Sequence, residues 1–357
     1  MFRLKQIKIS NFRCYESLTQ EFSPNINIII GDNAVGKTSL IESVYALGVT
    51  KSHKASSDLE MIRHNADFCF VKGVFEDDRA HDVCLSINAN GKQLVKNGKK
   101  IKHISEYLGF FYVVMFCPED LELVKGGPIN RRKFLDVNIG QIDHIYLESL
   151  IKYKKILKQR NQILKDLGET QPKYNKDMLE ILTKALIKEA KTIISIRKEF
   201  VLKLNNYFSK QVAAISGGNE QAYLKYLPNC EEKDLENKFF EREKLDLITK
   251  TTNCGPHRDD FEIIFNGKES AYASQGQQKT FVLALKLSLV DVIKEKSNRI
   301  IVILDDVFGE LDVHRQKQLI KLLEMNYQIF ITTTSIDSLD EDILKNSKII
   351  KIDKDGD

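Results

Sequence analysis

A short segment near the amino terminus constrains the fold of this chain more than any other. The apolar run Ile28 to Ile30 ends at Gly31, and a helical pattern follows from Ser39 to Leu47. The intervening loop matches G-x4-G-K-[ST] and reads Gly31-Asp32-Asn33-Ala34-Val35-Gly36-Lys37-Thr38. Between a strand and a helix, this pattern predicts a phosphate-binding loop. The alternative is an ordinary turn before a helix, which the flanking elements disfavour.

The residue types in this loop suit a nucleoside triphosphate with Mg²⁺. Glycines let successive backbone N–H groups wrap a phosphate, and the positive end of the following helix attracts its charge. We expect Lys37 to reach the β- and γ-phosphates and the Thr38 hydroxyl to ligate the metal. The sequence therefore predicts ATP and Mg²⁺ as cofactors. The nucleotide-binding residues expected here are Gly31, Asp32, Asn33, Ala34, Val35, Gly36, Lys37, Thr38 and Ser39.

A second apolar run supplies the acid that such a loop needs. Ile300 to Leu304 is typical of a strand covered on both faces, and Asp305 and Asp306 follow at its carboxyl end. We expect Asp305 to hold Mg²⁺ through its water shell and Asp306 to polarise the attacking water, with Lys37 as the other catalytic residue of this half-site. The competing interpretation is that the two aspartates form a strand-ending turn.

Composition excludes several classes of protein. The chain has 357 residues, which is long enough for one large or two ordinary domains. No apolar run approaches the roughly 18 residues of a membrane span, and the amino terminus alternates charged and apolar residues, so we expect a cytosolic protein with no membrane partner. The six cysteines form no C-x2-C pair, so their spacing predicts reduced core thiols rather than a zinc site.

The order of patterns along the chain predicts an α/β fold with a helical insertion. Strand patterns fill both ends, with Asn-Gly turns expected at 90–91 and 97–98, whereas apolar residues recur every seven positions in the middle. We therefore expect an ATPase domain of 1–125 and 250–357, with an inserted helical lobe of 126–249. Whether the helical pair projects or packs on the main body stays open at this level. The heptad residues are Leu150, Leu157 and Leu164, then Tyr146, Tyr153 and Leu167, and on the second helix Leu179, Leu186, Ile193, Phe200 and Tyr207.

The segment Ser274-Gln275-Gly276-Gln277 stands before a helical pattern, about 30 residues ahead of the acidic strand. In the order phosphate loop, S-x-G-Q, Asp-Asp, it resembles the signature motif of the ABC-type ATPases. That resemblance implies a head domain with mixed sheets in which Ser274, Gly276 and Gln277 of one subunit close over the γ-phosphate held by another, so that ATP joins a homodimer. Gly309-Glu310-Leu311-Asp312 resembles the D-loop, which would also lie at the dimer interface.

Four further stretches resemble the RecF family of bacterial recombination-repair ATPases. They are Ile9-Ser10-Asn11-Phe12-Arg13-Cys14-Tyr15, Phe116-Cys117-Pro118-Glu119-Asp120-Leu121, Asn130-Arg131-Arg132-Lys133-Phe134-Leu135-Asp136 and Gly255-Pro256-His257-Arg258-Asp259-Asp260. The similarity spans nearly the whole chain. It implies that Arg13 belongs to the nucleotide site and that His257 and Arg258 lie near the nucleotide or an interface. It also implies a slow ATPase switch that dimerises on double-stranded DNA at single-strand/double-strand junctions and promotes RecA loading with RecO and RecR.

The sequence departs from the ABC pattern in two places. Thr332-Thr333-Thr334 stands where a switch histidine is common, and Glu119 and Asp120 stand where a Q-loop glutamine is expected. Both departures favour slow hydrolysis.

The charge of the chain does not by itself show whether it binds DNA. The net charge is only +4, but 151–166 carries Lys152, Lys154, Lys155, Lys158, Arg160 and Lys165 against one acid. A solvated helix face is the simpler interpretation of this cluster. The alternative functions are a nucleotide-binding subunit of an ABC transporter, an SMC-type chromosome-organising ATPase and a non-catalytic interaction protein.

Overall fold

The computed structural model describes residues 1–55, 57–166, 172–310, 313–323, 327–336 and 339–353. The strands are β1 Arg3–Phe12, β2 Tyr15–Glu21, β3 Ile26–Ile30, β4 Phe68–Glu76, β5 Ala80–Asn88, β6 Gly91–Lys96, β7 Lys99–Ile101, β8 Tyr112–Phe116, β9 Ala222–Leu227, β10 Asp260–Phe265, β11 Lys268–Glu269, β12 Ile300–Asp305, β13 Gln328–Thr333 and β14 Ser347–Lys351. The helices are α1 Lys37–Val49, α2 Glu122–Lys125, α3 Pro128–Ile142, α4 His144–Asp166, α5 Pro172–Ile215, α6 Leu235–Glu241, α7 Glu243–Thr249, α8 Gln275–Lys294, α9 Val313–Leu323 and α10 Glu341–Lys345.

The chain divides into two compact units. Unit 1 comprises 1–120 and 289–357, and unit 2 comprises 121–288. The expected insertion of 126–249 is shorter than unit 2. Unit 2 also includes 121–125 and 250–288, and the second range contains β10, β11 and the first part of α8. The reason is that β9, inside the expected insertion, pairs with β10, which lies beyond its end.

A parallel sheet forms the centre of unit 1. Its order is β14-β3-β13-β12-β8, and every neighbouring pair in it is parallel. All residues of β8, β12 and β13 are buried, as expected for strands covered on both faces. Because the strands are parallel, their carboxyl ends meet at one edge, where the segments after β3, β12, β13 and β8 come together.

An antiparallel sheet with the order β2-β1-β4-β5-β6-β7 completes the strand content of unit 1. The alternation of buried and accessible residues along β4 matches a sheet with one face on the core. The predicted turn at 97–98 is confirmed, with Asn97 and Gly98 both at positive φ. The other turn is shifted by one residue, since Ala89 and Asn90 form it and Gly91 already pairs with Asn88.

Unit 2 contains the predicted helical pair, formed by α4 and α5. Tyr146, Tyr153 and Leu164 of α4 are buried, as the heptad pattern requires, while Leu157 is only partly covered and Leu167 lies outside the described residues. On α5 the pattern holds from Leu179 to Phe200. It then shifts, because Phe208 rather than Tyr207 is buried. A straight helix of 3.6 residues per turn drifts away from a strict seven-residue repeat, which explains this change over a helix of 44 residues.

Two fully buried arginines join the helical pair to the rest of unit 2. Arg160 of α4 donates to the carboxylate of Asp246 at 2.8 Å and to the Thr183 hydroxyl at 2.9 Å. Arg197 of α5 donates to Asp136 at 2.7 Å and to Asp259 at 3.2 Å. At these two arginines, one side of each helix therefore packs against the rest of unit 2. In the described ranges, the structure contains no helix that is both long and apolar enough to cross a membrane.

Candidate nucleotide-binding site

The loop between β3 and α1 has the geometry that its two glycines permit. Gly36 caps α1 with a φ of 113°, a conformation that L side chains rarely adopt. A Cβ atom on Gly36 would lie 2.7 Å from the Tyr15 hydroxyl, and one on Gly31 would clash with the carbonyl oxygen of Ile352. The Tyr15 hydroxyl also donates to the carbonyl of Gly36 at 3.1 Å. Glycine is therefore required at both ends of the loop for close backbone approach.

Lys37 lies inside this loop. Its residue is 4% exposed, and its ammonium group donates to the carbonyl oxygens of Gly31 at 2.7 Å and Asp32 at 2.8 Å. The loop is thus folded around the cation, while Asp32, Asn33 and Ala34 at its tip are exposed. A buried ammonium surrounded by backbone groups is suited to receive a phosphate oxygen.

The predicted metal-binding pair is brought together. The Thr38 hydroxyl donates to the Asp305 carboxylate at 3.1 Å, although the two residues are 267 positions apart. Asp305 ends β12 and is 2% exposed. Its donor set with Thr38 consists of oxygen atoms only, which is the set that Mg²⁺ prefers. The residues present therefore fit the ion that the sequence predicted.

The pKa of Asp305 is raised above the ordinary aspartate value. Burial is the main cause, and the neighbouring charge of Asp306 adds to it, while hydrogen bonds from Thr332 and Thr38 act in the opposite direction. A bound dication would compensate for this unfavourable burial of a carboxylate. The raised pKa thus marks Asp305 as a group whose environment suits a cation.

Thr332 is a site residue whose role the sequence did not specify. Its hydroxyl donates to Asp305 at 2.8 Å and accepts the backbone N–H of Asp306 at 2.9 Å. Asp306 has a φ of 53° and an exposed side chain directly after the strand. Thr332 therefore holds the carboxylate of Asp305 and the backbone of Asp306. The sequence signal was the position of Thr332 at the end of a strand that pairs with β12.

A carboxylate of α1 holds Arg13 close to that helix. Its guanidinium makes a two-point contact with Glu42 of α1, at 2.7 and 2.8 Å, and also donates to the Glu60 carbonyl at 2.8 Å. The side chain is 23% exposed. The structure thus gives Arg13 a clear positioning contact on α1, and its direct contact with nucleotide stays a prediction.

The S-x-G-Q segment lies in unit 2 and forms the amino-terminal cap of α8. The backbone N–H of Gln277 donates to the Ser274 hydroxyl at 3.3 Å, and the Gln277 side chain accepts the Ser274 N–H at 2.9 Å. This reciprocal arrangement is a capping box. Ser274 is exposed and Gly276 is partly exposed, so both are accessible at a helix terminus that favours anions. Of the predicted D-loop, Leu311 and Asp312 lie outside the described residues.

The Gly-Pro-His-Arg-Asp-Asp segment has a structural role within unit 2. Tyr153 contacts the His257 Nδ1 atom through its hydroxyl at 2.6 Å, and the other ring nitrogen lies 2.9 Å from the Thr252 carbonyl. His257 is therefore used to bind the segment to α4. Arg258 is exposed. No residue outside unit 2 is needed to explain these contacts.

Comparison with known proteins identifies the family. The model of the RecF/RecN/SMC N-terminal domain matches residues 3–355. The chain is 37% identical, over an alignment of 365 positions, to the DNA replication and repair protein RecF of Halalkalibacterium halodurans, and the alignment covers 98% of both sequences. The chain belongs to the RecF family. It is also 38% identical to RecF of Bacillus thuringiensis strain Al Hakam, over 98% of this chain and 96% of that protein.

Solved structures support the same assignment. A structure described as the recombination mediator protein RecF with ATP, in the RecFOR pathway, superposes with a TM-score of 0.90 at 35% identity, covering 100% of this chain and 96% of that one. The Smc head domain of Pyrococcus furiosus gives a TM-score of 0.54 at 17% identity, over 98% and 93% of the two chains, which shows a shared fold. The predicted fold class, an ATPase head of mixed sheets with an inserted helical lobe, is confirmed, as is the predicted RecF relationship.

Proposed function

We propose that this chain is an ATP-dependent DNA-binding switch of recombinational repair. The observation that carries the proposal is the conjunction of Lys37, Thr38, Asp305 and Thr332 at one edge of the parallel sheet, in a RecF-family chain. Slow ATP hydrolysis would reset the switch. One solved relative is described as the recombination mediator protein RecF with ATP and another as RecF with ATPrS, which supports extending the same cofactor and pathway to this chain.

The site residues of unit 1 each have a part in this proposal. The loop N–H groups and Lys37 would bind and orient the triphosphate, and Thr38 with Asp305 would hold Mg²⁺. The metal would neutralise charge on the phosphates. Asp306 orients the attacking water and accepts its proton, and Thr332 keeps Asp306 in place through its backbone N–H.

The second half of the site would come from another copy of the chain. Ser274 and Gly276 at the exposed start of α8 offer a hydroxyl and backbone N–H groups to an anion. We propose that they close over the γ-phosphate held by the partner copy, so that nucleotide state controls dimerisation. The resemblance of this segment to the ABC-type signature motif supports placing their ligand on a second subunit.

The proposed partners are double-stranded DNA and single-strand/double-strand junctions, together with RecO, RecR and RecA. Lysines on α4 offer one candidate DNA surface, since Lys154, Lys158 and Lys165 line a groove of about 380 Å³ with Asn161 and Gln162. Arg160, which the sequence grouped with these cations, is 1% exposed and bound to Asp246, so it is not part of that surface. The names of the relatives favour DNA over a transporter partner.

The test is equilibrium binding to gapped, single-stranded and blunt duplex DNA, with and without ATP and Mg²⁺. We expect ATP to strengthen binding to the gapped duplex most. Replacing Lys158 and Lys165 by alanine should reduce the salt dependence, with the slope of log K against log[salt] falling by about 0.9 for each phosphate that is no longer neutralised. Lys203→Ala, an exposed change on α5, is the matched control. Equal affinity with and without ATP would contradict the proposed switch.

A further inference from the structure

Three side chains that the proposed ATP site does not use meet at the same edge of the parallel sheet. His53, Cys117 and Asp120 each offer one metal-binding atom, and these atoms all lie within 4.8 Å of one another. His53 follows α1, Cys117 follows β8, and Asp120 lies in a short 3₁₀ helix from Pro118 to Leu121. The histidine and the cysteine are 64 positions apart, so no short spacing pattern could reveal the cluster.

The distance between the sulfur and the nitrogen ligand fits a tetrahedral ion. Bonds of about 2.3 Å to sulfur and about 2.05 Å to nitrogen, at a tetrahedral angle, place the two ligand atoms roughly 3.6 Å apart. The Cys117 sulfur lies 3.7 Å from the His53 Nε2 atom. An ion could therefore enter between them with only a small adjustment of the side chains.

The surroundings hold the ligands in place. The Asp120 carboxylate accepts the backbone N–H of Cys117 at 2.9 Å, which fixes it next to the backbone of that cysteine. The ring of Tyr45 packs edge-on against His53 with centroids 5.4 Å apart. Cys117 and Asp120 are 5% and 6% exposed, while His53 is only partly buried, so an ion could exchange with solvent from the histidine side. Such contacts to the groups around a metal site fix ligand orientation.

We propose that His53, Cys117 and Asp120 bind one Zn²⁺ ion, with water as the fourth ligand. Thiolate and imidazole ligands select zinc over Mg²⁺, whereas the pair Thr38 and Asp305 offers only oxygen. The two donor sets lie at the ends of neighbouring strands, since Phe116, the residue before Cys117, pairs with Leu304, the residue before Asp305. The zinc ion would connect the segment after α1 to the end of β8, next to the proposed nucleotide site.

Binding requires the thiolate form of Cys117. The sulfur–metal bond forms as the S–H proton leaves to solvent, and the oxidation state of every group is unchanged. Because only the folded chain assembles the three ligands, zinc should also stabilise the protein against unfolding. Zinc binding can be measured without nucleotide, so its failure is distinguishable from a failure of the proposed function.

The experiment uses the full-length protein, stripped of metal by a chelator and titrated with Zn²⁺ against a chromophoric competitor. Co²⁺ serves as the spectroscopic probe, since a thiolate ligand produces an intense charge-transfer absorption. We expect one ion per chain, a Co²⁺–thiolate band and a raised unfolding temperature. Cys117→Ser should abolish the band, and both it and His53→Gln should weaken zinc binding at least tenfold.

The control is Cys84→Ser, a partly exposed thiol on β5. It should bind zinc as the unchanged protein does. Metal-free unfolding curves verify that each variant is folded. If Cys117→Ser does not fold, His53→Gln, at a partly exposed position, provides the test of the ligands. Absence of the thiolate band in the unchanged protein, or zinc binding of equal strength in Cys117→Ser or His53→Gln, would overturn the proposal.

Discussion

At the scale of single residues, the candidate metal-binding carboxylate of Asp305 shows how burying an acid costs stability. The fold buries this group beside a second acid, and its pKa is raised by that burial first and by Asp306 second. A carboxyl with a raised folded pKa binds its proton more tightly in the folded state. Its contribution to stability is therefore complete below the unfolded pKa and is lost as the pH rises through the folded pKa.

We therefore predict that Asp305→Asn stabilises the metal-free protein at neutral pH. The amide oxygen can still accept the hydrogen bonds of Thr38 and Thr332, but the buried charge is gone. The gain in unfolding temperature should shrink as the pH falls below the unfolded aspartate pKa. Thermal unfolding across pH measures it, and the same variant should lose its response to Mg²⁺.

The exposed residue Asp78 supplies the control, since Asp78→Asn should change neither the unfolding temperature nor the metal response. If Asp305→Asn proves less stable than the unchanged chain at neutral pH, the buried carboxylate does not destabilise the metal-free protein.

At the scale of secondary-structure elements, α5 is attached to its unit through a charge network. Arg197 is buried between Asp136 and Asp259, and it also donates to the Tyr146 hydroxyl at 2.9 Å. Burial raises the pKa of Asp136, but the charges of Arg197 and Lys154 outweigh it, so the net shift is downward. The carboxylate form is thus maintained by Arg197.

Removing this arginine should leave two carboxylates without their main counter-charge. We predict that Arg197→Met lowers the free energy of unfolding by about 3 to 5 kcal/mol, the usual cost of breaking a buried ion pair from one side. Urea unfolding followed by circular dichroism measures the change. The neighbouring exposed change Lys198→Met should alter the free energy by less than about 0.5 kcal/mol. Similar values for the two variants would show that the network is not a stabilising element.

The elements also show what sequence reasoning could and could not provide. The phosphate loop, the acidic strand and the heptad helices were predictable, because local spacing and periodicity encode them. The contacts of Arg160 and Arg197 were not, since each bridges positions far apart in the chain. For that reason Arg160 was grouped with surface cations, although it is buried.

The same distinction applies to the candidate site. Thr38 and Asp305 were named from motifs and do meet in the fold. The double contact of Thr332 and the bond from Arg13 to Glu42 depend on strand order and on how β1 approaches α1, neither of which a linear pattern records. The domain boundary differed for a related reason, because β10 pairs with β9 across the expected end of the insertion.

At the scale of the whole molecule, one chain carries two proposed half-sites. Unit 1 carries the phosphate loop with its acids, and unit 2 carries the exposed cap of α8. We propose that ATP joins these half-sites between two copies. Lys37→Ala should remove the cation that the loop encloses and so prevent nucleotide-induced dimerisation. Ser274→Arg should leave ATP binding by the monomer unchanged and block closure.

Sedimentation velocity with and without ATP and Mg²⁺ tests this claim most directly, with Lys8→Ala as an exposed lysine control. ATP should convert the unchanged chain and the control from monomer to dimer, while both site variants remain monomeric and Ser274→Arg still binds ATP. A chain that stays monomeric at saturating ATP, or a Ser274→Arg variant that dimerises normally, would contradict it.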